Sequence, residues 1–523
     1  MHRLFLILLP GLLAFSQQPA PEFTPPRAGV GITQTRLSLQ EAVERALRNN
    51  LEIEVERTVQ AAAVETARGA QAYLDPSFRW LPSIENRNTP TSSAFAPASG
   101  KITENFFTQN FSFRQRTPYQ GLTFQADFDN VRQSTNNPFV TLNPFITPRL
   151  VLSVSLPLLR NREIDQERAQ LLVRRRQVEG SDVAFELRVI DVIARTEQAY
   201  YDLAAVRADL DVVAESVSLA RDQVERTKRF ISSGTVAPVE LAGAEAELER
   251  RQDTYFATIN NLNIVENNLK LLIAGGSEDP IWNDILVPTS ADRAKDPAEA
   301  QSLIPDLVKA AVSRRPEFRS LDIRRDINEV ERSLARNNSK IQVNLTGAYV
   351  STGLAGTAVT TVNPFAESQV ASLERLNELS RRAGLDPINL GSSIGGGVPS
   401  SFVGGYGQSL ANLFGVKYST FQGGVAFDWN WRNTAATSAL AQTAISEKRL
   451  GLERRQLEQG VEAQVRNAMQ SLSSARQRIV AAEASARAAK EKLDSEVRLF
   501  QTGESTNWAG SSRSCGRIAP CAC

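Results

Sequence analysis

The chain has 523 residues, 59 Lys and Arg against 58 Asp and Glu, and a formal net charge of +1. That balance excludes a bulk electrostatic pull towards nucleic acid or acidic lipid. The one histidine is His2, and the three cysteines, Cys515, Cys521 and Cys523, fall in the last nine residues, so the body offers no imidazole for base catalysis or metal binding and no thiol for a disulfide. At the N-terminus, His2 and Arg3 precede an apolar run, Leu4–Phe15, followed by small or polar residues to Ala20. The run is too short to span a bilayer and predicts a cleaved secretory signal over residues 1–20. Pro10 and Gly11 argue against a buried helix there, and no cysteine follows for lipid attachment. Residues 21–36 read as a Pro-rich extended linker. Apolar Leu39, Val43, Leu47, Leu51 and Val55, spaced by four, predict one helix from Leu39 to about Tyr73, opened by a Ser38/Glu41 capping box.

The period then changes to two. Leu122, Phe124, Ala126 and Phe128 alternate with polar residues, as do Leu150, Leu152, Val154 and Leu156. Further along, Ile341, Val343, Leu345, Gly347 and Tyr349 do the same, and Val425, Phe427, Trp429 and Trp431 alternate with Ala426, Asp428 and Asn430. These are strands with one apolar and one polar face. A soluble sandwich and a transmembrane barrel both give this pattern, and Trp429 and Trp431 suit a membrane-interface girdle. β-like runs at Ser77–Ile84 and Asn105–Arg114 leave the strand count of the first half open. Polar loops are expected at Asn130–Thr147 and Ser351–Gln422, the second holding a short helix, Pro364 to Arg382.

After each strand pair comes a long stretch without proline. Arg162–Phe230 and Arg432–Phe500 are rich in Ala, Glu, Arg, Leu, Val and Gln, and each predicts a helix on the order of 100 Å long. Helices of that length coil against one another, here through stripes such as Val189, Val192, Ile193, Ala199, Tyr200 and Leu203. Each reaches a Gly-centred break, at Ser232–Val236 and at Gln501–Ser505. After the first break Pro238 restarts a helix, expected over Val239–Ile273.

The chain says nearly the same thing twice. Ala42–Ile53 recurs as Leu307–Phe318, Ala199–Leu203 (AYYDL) as Ala468–Leu472 (AMQSL), and Arg229–Val236 as Arg498–Ser505. The offsets, roughly 265 to 270 positions, predict a tandem duplication, with a first repeat over residues 37–302 and a second, truncated one over 303–507. Residues 508–523 have no helical period and hold every cysteine. They read as an aberrant tail from a frameshift near Ser505–Trp508, the alternative being a genuine Cys-rich tail whose Cys-x5-Cys-x-Cys spacing matches no standard zinc site.

This order resembles the TolC-like outer membrane efflux protein family, and particular segments carry the resemblance. Leu39–Val43 with Ala46–Asn50 is similar to the family's opening helix. Pro157–Asn161 and Trp431–Asn433 resemble its two strand-to-helix junctions, and Ala199–Leu203 its long-helix motif. Arg229–Gly234 with Glu240, Leu241 and Ala244 resembles its first tip. Each is weak alone; together they run in family order over about Leu37 to Glu504.

The resemblance implies an α+β membrane protein of two tandem repeats. Its β-barrel strands are shared in a homotrimer, because one protomer supplies too few to close a barrel without open edges in lipid, and its long helices form a periplasmic coiled-coil barrel. It implies a passive exit duct for small molecules or proteins, in a tripartite efflux pump or type I secretion system. It implies no catalysis, cofactor or metal. The implied partners are outer membrane lipid, a periplasmic adaptor (membrane fusion) protein, and an inner-membrane transporter of RND, ABC or MFS type that supplies the energy. The adaptor-docking tips carried over are Ser233, Gly234, Thr235, Val236 and Glu240, and Thr502, Gly503, Glu504 and Ser505. The family's constricting acidic positions would fall at Ala509 and Ser512, neither acidic, so that ring does not carry over. Asp127 and Asp428 are lumen-facing candidates that could favour cations, though plain solvated wall residues explain them better. A periplasmic coiled-coil scaffold with a soluble β-domain, and a non-functional truncated family member, remain the alternative readings.

Overall fold

The computed structural model describes residue 31 and residues 33–92, 100–289, 303–359, 364–388 and 398–501. The expected signal, the Cys-containing tail and the second tip (Thr502, Gly503, Glu504, Ser505) lie outside them. The elements run β1 (Gln34–Leu37), α1 (Leu39–Asn49), α2 (Leu51–Gly69), β2 (Ser77–Pro90), β3 (Lys101–Arg116), β4 (Thr123–Thr135), β5 (Leu142–Pro157), α3 (Gln166–Ser232) and α4 (Val239–Ile273). Then follow β6 (Ile285–Pro288), α5 (Ile304–Arg314), α6 (Pro316–Asn338), β7 (Gln342–Thr352), β8 (Ala355–Ala358), α7 (Pro364–Arg382), α8 (Tyr406–Phe414), β9 (Ser419–Asp428) and α9 (Thr434–Gln501). The chain divides into two compact units.

The first unit comprises residues 1–57, 185–311 and 461–523. β1 and β6 pair in parallel from Gln34↔Ile285 to Leu37↔Pro288. Around them Ala42 and Ala46 of α1, Val192, Tyr200 and Leu203 of α3, and Leu262, Leu269 and Ile273 of α4 build the core. The Tyr200 hydroxyl, fully buried, donates to the Leu37 carbonyl at 3.0 Å. The Ser38/Glu41 capping box is present in full at the start of α1. The single helix expected to Tyr73 is instead interrupted at Asn50, which is extended (φ −64, ψ 122). The cause is the Asn50 side chain. Its Oδ1 accepts from the Glu52 and Ile53 amides at 2.9 and 3.3 Å, which caps a new helix, while its Nδ2 donates to the Leu272 carbonyl at 2.9 Å.

The second unit comprises residues 58–184 and 312–460 and holds one sheet in the order β2-β3-β4-β5-β7-β9, with β8 also on β5. Each of these strand pairs is antiparallel. The two open runs, Ser77–Ile84 and Asn105–Arg114, are strands and form a hairpin on the β4 edge. The loop expected at Asn130–Thr147 is much shorter: β4 and β5 stay paired through Asn130↔Pro148, Val131↔Thr147 and on to Gln133↔Phe145, so the turn begins after Thr135. β9 ends at Asp428, earlier than the alternation to Trp431 suggested. The 353–418 connection contains the expected helix, α7, and also α8 and the short β8, which the sequence did not announce. α8 seats on the sheet end: Ser351 Oγ donates to the Leu413 carbonyl at 2.6 Å, and Asn412 Nδ2 donates to the Leu354 and Ser401 carbonyls at 2.8 and 2.7 Å. Gly353 is required there, since a Cβ would run into the Ser409 carbonyl.

Candidate channel wall and helical tip

The sheet register sorts side chains into two faces. One row reads Phe78–Phe113–Ala126–Leu152–Tyr349–Phe421 across all six strands, and its neighbour on the same face begins Trp80–Phe111–Phe128–Leu150. The rings touch along these rows: Trp80 stacks on Phe111 with centroids 6.2 Å apart, Phe111 lies 6.2 Å from Phe128, and Tyr349 lies 5.0 Å from Phe421. The opposite face reads Ser77–Arg114–Gln125–Ser153–Ala348–Gln422. Such a wall suits hydrocarbon on one side and water on the other. Among the described residues no helix is long and apolar enough to cross a membrane.

Asp127 sits on the polar face, where its carboxylate accepts from Ser112 Oγ at 2.6 Å and from Gln125 Nε2 at 2.7 Å. Its row continues Val151, Val350, Thr420. Asp428 lies on the same face but eight residues further along β9, about 26 Å at 3.3 Å per residue. The two candidate carboxylates are therefore not brought together. Trp429 and Trp431 follow β9, both exposed, with ring centroids 4.9 Å apart.

At the helical end of the sheet, two asparagines turn strand into helix. Asn161 (φ 68) and Asn433 (φ 37) both adopt positive φ, a conformation asparagine tolerates better than most residues. The Asn161 amide donates to Asn337 Oδ1 at 3.0 Å, and Asn433 Nδ2 donates to the Asn338 carbonyl at 3.0 Å. Adjacent residues at the end of α6 thus hold both strand-to-helix junctions. The β3–β4 turn packs here too: Gln120 (φ 51) and Gly121 (φ 73) form it, and a Cβ on Gly121 would meet the Asn161 carbonyl at 2.8 Å.

The described tip lies between α3 and α4. The Thr235 amide donates to the Phe230 carbonyl and the Gly234 amide to the Ile231 carbonyl, both at 3.0 Å. This is a complete Schellman termination, with Gly234 at φ 74 supplying the left-handed residue. The Ser233 and Thr235 hydroxyls share a hydrogen bond of 2.6 Å. Ser233, Gly234, Thr235 and Glu240 are exposed and Val236 half-buried, so the structure brings Ser233 to Val236 together on one short turn, with Glu240 at the start of the helix that follows. Glu240 opens the first turn of α4, where its charge complements the helix N-terminus.

Sequence reading passed over an ionic pair inside the first unit. Lys270 Nζ lies 2.9 Å from Glu266 Oε1, with both side chains essentially inaccessible, and donates to the Trp282 carbonyl at 3.0 Å. The i, i+4 spacing was the available signal. On the same unit's surface, the Arg195 guanidinium bonded to Glu52 holds that carboxyl below its ordinary range. Among the described residues no His, Cys, Asp and Glu cluster could hold a metal ion.

Residues 121–275 match the family described as outer membrane efflux protein. No curated protein matches the sequence. Among solved structures the fold is similar to the Campylobacter jejuni CmeC outer membrane channel (15% identity, 92% of this chain and 82% of that chain covered, TM-score 0.57). It is similar also to the outer membrane protein VceC from Vibrio cholerae (12% identity, 92% and 90% covered, TM-score 0.58). A third likeness is to the open state of the Neisseria gonorrhoeae MtrE outer membrane channel (13% identity, 92% and 83% covered, TM-score 0.52). At these identities the likeness is one of fold. Residues 121–275 thus carry the outer membrane efflux protein signature, and the chain shares its fold with outer membrane channels.

Proposed function

We propose that three copies of this chain form a passive outer-membrane duct, with the sheets as the wall in lipid and the long helices as the periplasmic part. The supporting observation is the sheet. Its apolar row is unbroken over six strands, its opposite face is polar, and both its edges would leave backbone groups unsatisfied in hydrocarbon if one copy stood alone. The tip at Ser233–Val236, with Glu240, is the adaptor-docking surface, and an inner-membrane transporter of RND, ABC or MFS type supplies the energy. Asp127 and Asp428 face the lumen at separate depths. Substrate, small molecule or protein, diffuses down the polar lumen.

Fractionation of expressing cells tests this reading. The expected result is a detergent-extractable, heat-modifiable oligomer in the outer membrane fraction. Recovery as a soluble periplasmic monomer refutes it.

A further inference from the structure

The connection between β7 and β9 carries a helix whose polarity is turned inside out. α8 has no charged residue, and Gln408, Ser409 and Asn412 all bond within the protein. Gln408 Nε2 donates to the Ser401 carbonyl at 3.1 Å and the Ser409 hydroxyl to the Tyr406 carbonyl at 2.7 Å, while Asn412 Nδ2 serves the Leu354 and Ser401 carbonyls. Ser409, Asn412 and Leu413 are buried. The opposite side of the helix is Tyr406, Gly407, Ala411 and Phe414, all exposed, with Phe414 66% exposed. A surface helix in water shows the reverse, with its apolar side in and its polar side out.

The seat of α8 accounts for this. The row Trp80–Phe111–Phe128–Leu150 continues as Ser351 and Ser419, and the next pair on that face is Pro148 and Gly353. The Ser351 hydroxyl holds the Leu413 carbonyl, and a Cβ on Gly353 would run into the Ser409 carbonyl and the Pro148 ring. α8 therefore lies on the same face as the apolar rows, at the end of the sheet away from α6 and α9. Beneath it the sheet turns small and polar, and the outer side of the helix replaces the strands as the apolar surface. The turn that follows keeps an exposed valine, Val416, at φ 59, where a β-branched residue is strained and a glycine would not be. Lys417, next in the chain, is exposed as well.

The level of α8 fits a bilayer boundary. From Ser419, beside the Ser351 anchor, to Trp429 is ten residues along β9, about 33 Å of strand and about 25 Å across the membrane at a tilt of about 40°. That is about the height of the apolar band between the two aromatic girdles of an outer-membrane wall. We infer that α8 is an interfacial anchor: Tyr406, Ala411, Phe414 and Val416 lie among the upper acyl chains of the outer leaflet, and Lys417 reaches its phosphates. Trp429 and Trp431 mark the opposite boundary. The placement rests on the duct reading proposed above, which puts the long helices in the periplasm and this end of the sheet outside. An inverted helix of this kind loses nothing in lipid, because its polar groups are already satisfied inside.

Depth-resolved quenching tests the assignment. In a background where Cys515, Cys521 and Cys523 are replaced by Ser, single substitutions Ala411→Cys, Phe414→Cys, Val425→Cys and Glu240→Cys are each labelled with a nitrobenzoxadiazole fluorophore. Val425 is on the apolar face, six residues beyond Ser419, hence about 15 Å deeper, and Glu240 is the aqueous reference. Each protein is reconstituted in phosphatidylcholine vesicles carrying a nitroxide either high or deep in the acyl chain, and iodide serves as the aqueous quencher. The expected result is a larger loss of fluorescence at both α8 sites from the shallow nitroxide than from the deep one, with little loss from iodide. The Val425 label should show the opposite order of the two nitroxides. Quenching of the α8 labels by iodide alone overturns the assignment, since the helix then stands in water. Quenching by neither overturns it too, since protein, such as a second copy of the chain, then covers the helix. In both cases a Val425 label quenched by nitroxide lipid leaves the duct standing. A Val425 label reached only by iodide overturns the duct and the anchor together. Ala411→Cys keeps both aromatic rings, so the test stays readable if Phe414→Cys fails to insert.

Discussion

Lys270→Met tests how the first unit's core holds its buried charges. Lys270 and Glu266 are 0% and 1% exposed and 2.9 Å apart. Removing the ammonium takes the opposite charge away from a carboxylate that water cannot reach. The Trp282 carbonyl also loses its Lys270 donor, worth about 1 kcal/mol. The variant should therefore lose about 3 to 5 kcal/mol, the range for breaking a buried pair by removing one partner. The double variant Lys270→Met with Glu266→Gln should recover most of the difference, because neither member of the pair then carries a charge. Urea unfolding followed by Trp282 fluorescence, with the four other tryptophans replaced by Phe, measures each variant. A loss under about 1 kcal/mol would refute the reasoning.

The sheet faces give a paired prediction. Leu152→Arg, on the apolar face, should cost about 2 to 4 kcal/mol of insertion, whereas Ser153→Arg on the polar face should be accepted; the heat-modifiable band of each variant reports which one folds, and equal yields would contradict the assigned faces. At the tip, Gly234→Ala forces a Cβ onto φ 74 with nothing within 4 Å to clash, so the penalty is backbone strain alone, about 1 to 2 kcal/mol. Hydrogen exchange should show faster opening of the Gly234 and Thr235 amides while the core amides near Tyr200 stay protected. Asp279 accepts from the Gly275 and Ile281 amides at 2.9 and 3.0 Å, and the Gly275 bond is the main cause holding its carboxyl below the ordinary value. A depressed folded pKa gives stability that is fully present above the unfolded value, about 3.9, and is lost as pH falls through the folded one. Asp279→Asn should therefore weaken the first unit at neutral pH and flatten that acid limb in urea titrations; an unchanged limb would exclude Asp279 as its source.

Some elements could be read from residues because their ends are chemical. α4 begins after Pro238 and stops before Gly275-Gly276, and the expected span, Val239–Ile273, is the observed one. Pro364 and Arg382 bound α7 in the same way. Others depend on partners far along the chain. The break at Asn50 needs the Leu272 carbonyl, and without it the four-residue apolar spacing reads as one helix. The loop expected from the Asn and Pro residues between Asn130 and Thr147 disappears because β5 offers those positions a continuous ladder. Asn161 and Asn433 stood inside the motifs that carried the family resemblance, yet their shared anchorage at the end of α6 is visible only in the fold. The hairpin shows most clearly what a sequence lacks. Beyond Ile84 its alternation dissolves into polar residues, where Asn86 bonds across to Asn105 and Thr103 to Asn88. Those bonds hold the strands together without any apolar period to announce them. Phe78 and Phe421 become two ends of one apolar row only through five successive registers. A row runs across strands, at right angles to the chain. Strand-by-strand periodicity can therefore tell which side of each strand is apolar. How many strands the sheet holds, and which of them lie at its edges, depends on the order in which they pair.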